Sequence, residues 1–148
     1  MILATFLHIL GFTVWVGGMF FAHNALRPSA ATLEPPQRLP LLAATLGRFF
    51  RWVWLAVALI LGSGLYMMAL LGRPPAYVAL MAAVGVVMML LFAHIYFAPN
   101  KRLQRAAAAR DWPAAGAAMA QIRLLVGINL ILGLFTLAVG ALGPLSLR

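Results

Sequence analysis

The sequence predicts an all-α integral membrane protein: a four-helix up-down bundle with a cytoplasmic helical hairpin between the third and fourth spans. Three observations predict it. Apolar residues make up 65% of the 148 and charged residues 9%, whereas a soluble domain carries about 25% charged residues to keep its surface in water. Four apolar runs each approach the ~20 residues that a bilayer-crossing helix needs, and in such runs only helices satisfy every backbone amide within the segment. The basic residues gather between runs one and two and between runs three and four.

The first run, residues 2–22, has no basic start and is already as long as a span, so it reads as a retained helix and not a cleaved leader. The stretch NALRPSAATLEPPQRLPLLAATLGR that follows opens irregularly. Glu34 before Pro35 and Pro36 then marks a helix start, because proline suits a first helical turn. Leu39 to Arg51 is amphipathic and is expected to lie at the inner interface before turning into the second span, 49–71. Trp52 and Trp54 fall where an interfacial aromatic belt belongs. GRPPAY makes a tight outer turn into the third span, 76–97. Pro99 kinks that helix, and NKRLQRAAAAR carries it onward into the cytoplasm. Asp111, with Pro113 close behind, caps a helix that includes the fourth span, 124–145. Residues 1–148 form one domain, without internal repeat.

Charge orients the bundle. The first loop holds Arg27, Arg38, Arg48 and Arg51 against Glu34, and the third holds Lys101, Arg102, Arg105, Arg110 and Arg123 against Asp111. The second loop has only Arg73, and the C-terminus only Arg148. Loops one and three are therefore expected in the cytoplasm and both chain ends in the periplasm. The net charge of +9 then serves topology and anionic lipid headgroups of the bilayer, not nucleic acid. With no cysteine, disulfides, thiolate metal sites, iron–sulfur clusters and covalent c-type haem are excluded.

Small residues recur on the faces that should meet. His8, Gly11, Trp15, Gly18 and Ala22 follow three- and four-residue spacing, as do Asn129, Gly133, Thr136, Gly140 and Gly143. Such faces permit close helix approach or leave room for a flat cofactor between helices. Histidines inside apolar runs are costly and mark sites. With helices one and three both running inward, His8 and His94 differ in depth by roughly 16 Å at 1.5 Å per residue, too far to share one iron. Two layers result. An inner one contains His94, His23, Asn129 and Tyr96, with Lys101, Arg51, Arg48 and Arg123 nearby, a set suited to a porphyrin iron and its propionates. An outer one contains His8, Tyr66, Met67, Met68, Met81 and Ser63, where imidazole and thioether suit either haem iron or Cu(I).

These stretches carry a resemblance. LHILGFTVWVGGMFFA, RFFRWVWLAVALILGSGLY, HIYFAPNKRLQRA and IRLLVGINLILGLFTLAVGALG, in this order, resemble the CopD family of bacterial inner-membrane proteins. The resemblance implies a role in copper resistance or uptake, beside a periplasmic copper carrier. The chain also resembles the four-helix HemJ-type protoporphyrinogen oxidases, which bind haem b. There a histidine followed seven residues later by lysine is functional, a spacing that His94 and Lys101 have. His8 and Trp15 match the first-helix pattern of histidine followed by tryptophan, while Val16-Gly17-Gly18 departs from the bulkier sequence usual after it.

The leading expectation is a haem-b membrane protein of redox function, either electron transfer with a small-molecule or protein partner or porphyrinogen oxidation. His94, His23 and His8 are its candidate ligands, and Lys101, Asn129, Arg51 and Trp15 its surroundings. The alternative is a copper-handling protein using His8 with Met67, Met68 or Met81. A third reading is a non-catalytic accessory subunit of a membrane complex.

Overall fold

The computed structural model describes residues 1–147; Arg148, counted above among the basic residues, lies outside them. Among the described residues every regular element is helical. We label α1 (Ile2–Ala30), α2 (Pro35–Leu71), α3 (Ala76–Phe97), α4 (Pro99–Ala108) and α5 (Trp112–Leu142), the last followed by a tight 3-10 segment. Four stretches are long and apolar enough to cross a membrane: Ile2–Ala30, Pro35–Leu71, Ala76–Ala108 and Trp112–Leu145.

Two helix boundaries differ from expectation. α1 does not end near residue 22 but runs on to Ala30, through two π-helical turns at Thr13–Gly17 and Ala22–Leu26. The stretch from Leu39 to Arg51 is not a separate interfacial helix. It is continuous with the second span, because Pro35 and Pro36 occupy the first turn and Pro40 sits too near the start to break the 37-residue α2. At 1.5 Å per residue α2 is roughly 55 Å long, well beyond the ~30 Å of a hydrocarbon core. Its first turns therefore project out of the bilayer. There Leu39, Leu42 and Ala43 are buried with Leu103 of α4 and Ala115 of α5, and Gln104 Nε2 donates to the Ala43 carbonyl at 2.8 Å. This end is the basic end of the molecule.

Helices pair antiparallel. On α1 and α2, Thr5 meets Met67, His8 meets Ser63, and Gly11 lies against Ala56. On α3 and α5, Met88 meets Asn129 and Met81 lies against Gly140. Rings join the two pairs at mid-height. Phe92 sits edge-on to Trp15 at 5.9 Å, Phe50 at 5.6 Å and Trp54 at 5.0 Å between centroids. Such pairs contribute about 0.5–1.5 kcal/mol each beyond their area. That matters here because lipid is as apolar as a core, so packing and not water exclusion holds spans together.

Pro99 breaks the third helix as expected, with Ala98 at φ −110° and ψ −85° between α3 and α4. The chain then turns through Arg110, at a positive φ of 57°, into α5. Asp111 is the N-cap: its Oδ1 accepts from the Ala114 amide at 3.0 Å. Asp111→Ala is expected to cost about 1 kcal/mol by leaving that first-turn donor unpaired. Thermal unfolding in detergent should show a fall of a few degrees, with Asp111→Asn near wild type.

Candidate functional site

Two places concentrate the polar chemistry. The first is at the N-terminal end, on the seam between α1 and α2. His8 and Thr5 lie one turn apart on α1, and Ser63 and Met67 one turn apart on α2, so the four side chains meet across the seam. His8 Nδ1 is 3.0 Å from Ser63 Oγ, and Thr5 Oγ1 lies 3.2 Å from the Met1 carbonyl and 3.5 Å from Met67 Sδ.

The seam favours one tautomer of His8. A serine hydroxyl has one hydrogen, and Ser63 Oγ approaches the Leu59 carbonyl at 2.5 Å, closer than it approaches His8. The hydrogen belongs on the Leu59 contact. This favours Ser63 Oγ as acceptor from Nδ1–H of His8, the tautomer in which Nε2 carries the lone pair. Gly64 makes space for the ring: a methyl there would stand 3.2 Å from His8 Cε1. Such a histidine, its second nitrogen held by a neighbour, is oriented as metal ligands are.

The second place is a cavity of about 160 Å³ at the basic end, where α1, α2 and α5 meet. His23, Arg27 and Arg123 line it, against a wall that includes Phe21, Phe49 and Val126. Neither Glu34 nor Asp111 reaches it. His23 rests over α5 at Gly127, where a methyl would lie 3.4 Å from its Cε1.

The expected inner layer does not assemble as one cluster. His23 and Arg123 share the cavity, but His94 is exposed on the outer surface of α3, and Arg51 is exposed on α2. Lys101 is exposed on α4, its Nζ 5.3 Å from the centroid of the Phe97 ring. Trp15 is 2% exposed and serves as core, packed on Phe92. Asn129 is 1% exposed; its Nδ2 makes a long 3.4 Å bond to the Met88 carbonyl, and its Oδ1 has no partner among the described residues. In the outer layer Met67 meets Thr5, one turn from His8, while Met68 is half-buried, Tyr66 is exposed, and Met81 packs on α5 at Gly140. The Trp15–Phe92 contact places those residues at one level. His8 is seven residues toward one end and His94 two toward the other, an axial separation of roughly 14 Å.

Residues 43–142 match the family of copper resistance protein D, CopD. The chain belongs to the CopD family. It is a copper-resistance-related, multi-pass membrane protein. No curated protein and no solved structure matches it. The match takes in most of α2 and all of α3, α4 and α5, so Ser63 and Met67 lie inside the CopD segment and His8 precedes it. Among the described residues of this CopD chain, no three His, Asp or Glu side chains come together as a metal-binding group.

Arg27, a loop charge by sequence, lies on α1 and lines the cavity. The signal was available in the spacing: His23 and Arg27 are four residues apart, which puts them on one face once α1 continues past residue 22.

Proposed function

We propose that this CopD-family protein handles copper, taking Cu(I) on His8 Nε2 and Met67 Sδ at the N-terminal end of the α1–α2 seam. The observation that carries the reading is the Ser63 contact, which favours the tautomer with a free Nε2 lone pair on the same seam that carries the Met67 thioether. Imidazole and thioether are the ligand types a soft monovalent copper prefers, and both are at hand where carboxylates and thiols are not. With the basic loops in the cytoplasm of a bacterial inner membrane, the seam opens to the periplasm. A periplasmic copper carrier would meet it there. Copper is cargo in this reading, held by a few exchangeable ligands.

A b-type haem with a redox role is a second reading, favoured by one observation: His23 and two arginines line the same cavity. The fit is poor. His8 and His94 do not reach that cavity, and its volume is below the ~300–1,000 Å³ usual for ligand pockets.

The test is metal analysis and a visible spectrum of detergent-purified protein from copper-replete cells, followed by Cu(I) competition titration. We expect copper near one per chain and no porphyrin absorbance. Met67→Leu should weaken Cu(I) binding by about tenfold or more, some 1.4 kcal/mol. A colourless protein without copper would sink the reading, and a reduced b-type spectrum with stoichiometric iron would replace it with the second.

A further inference from the structure

We propose that the cavity at the basic end is a binding site for an anionic phospholipid, with Arg27 and Arg123 gripping its phosphate and His23 adding a third polar contact. The proposal does not depend on copper.

Charge comes first. Arg27 on α1 and Arg123 on α5 are distant in sequence, yet the fold places both on the lining of this one cavity. Arg123 is exposed and Arg27 half-buried, so both guanidinium groups stand at the mouth of the apolar-walled cavity, where an anion can reach the two together. The protein supplies none. The chain has only two acidic residues, Glu34 and Asp111; neither lines the cavity, and Asp111 is engaged at the cap of α5. A phosphate suits the place because arginine forks match its oxygens in paired hydrogen bonds.

The wall decides what else the ligand carries. Beyond the cationic rim the cavity is lined by Phe21, Phe49 and Val126, without further charge. An inorganic anion would leave that surface bare, whereas a lipid places its phosphate at the rim and the start of an acyl chain on the wall. Depth agrees: Phe20 and Phe21 are exposed as lipid-facing residues are, and Asn24 and Arg27 follow within two turns. This is headgroup level at the end of the bundle where basic residues collect. Basic pockets between spanning helices are a recurrent way to hold anionic headgroups. At about 160 Å³ the cavity takes the head region and leaves the tails in the bilayer.

The experiment is native mass spectrometry of the full chain released from mixed micelles holding phosphatidylglycerol and phosphatidylcholine in equal amounts. Wild type is expected to retain one phosphatidylglycerol in clear preference. R27Q/R123Q should lose that retention at least tenfold, while R105Q/R110Q, an equal charge change on and just after α4, should keep it. Leu42→Trp, which fills the cavity with both arginines in place, should also release the lipid; it covers the case in which the arginine pair proves necessary for folding. Equal retention of the two lipids overturns the proposal, as does equal loss in both double variants. It is also overturned if excess inorganic phosphate stabilises the protein against heat as well as phosphatidylglycerol does, or if the cavity's occupant has a porphyrin spectrum.

Discussion

His8→Ala is expected to remove copper from the purified protein altogether while the four-helix fold survives. The imidazole is half-buried, and its polar contacts are Ser63 Oγ and the Ile60 backbone, both on α2. Losing it costs the fold little and the metal its nitrogen ligand. Ser63→Ala separates ligation from orientation. It keeps both ligands but frees the ring and lets the proton move to Nε2, so Cu(I) affinity should fall roughly 10–100-fold, as when a second neighbour of a metal ligand is lost. His94→Ala, on an exposed face far from the seam, should leave affinity unchanged. Cu(I) competition titration reads all three. Equal binding by wild type and His8→Ala would exclude the seam as the copper site.

Gly11→Leu is expected to have the largest effect on stability, and to weaken copper binding without touching a ligand. A methyl on Gly11 would stand 2.9 Å from the Ala56 carbonyl oxygen and 3.0 Å from Ile60 Cγ1. The first neighbour is backbone, so a bulkier side chain can be admitted only by moving α1 off α2. Overpacking of this kind costs about 1–3 kcal/mol. Gly11 is one turn from His8, so the same displacement pulls the imidazole away from Ser63 and Met67. Gly62→Leu is the matched control, since nothing lies within 4 Å of its Cβ position. Thermal unfolding in detergent and the copper titration together test the point. A shift no larger for Gly11→Leu than for Gly62→Leu would mean that the two helices do not touch closely there.

Four spans, the Pro99 break and the Asp111 cap were legible in the sequence because each rests on a local rule: run length, a missing backbone donor, a carboxylate before a helix. The faces of the helices were less legible. Around α3 nearly every position is apolar, so residue type carries no record of which side is inward; His94 was placed inside on the cost of a polar group in lipid, and it faces out. Arg51 and Lys101 are grouped with it by helical spacing and depth, and both are exposed. The seam fared better, because Ser63 and Met67 sit four apart and thus share a face on an unbroken α-helix. Arg27 was hidden by ending α1 at residue 22, where hydropathy falls but helical geometry does not.

The two wide turns in α1 bear on how this chain is to be aligned with others. A π-helical turn bonds i to i+5 where an α-helix bonds i to i+4, so it takes up an additional residue and rotates everything beyond it. A relative whose first helix is uniformly α will superimpose on this one only with gaps near residues 13–17 and 22–26. Scored without gaps, its counterparts of Trp15 and Met19 would be matched to the wrong neighbours, and His23 would drift off the α5-facing side.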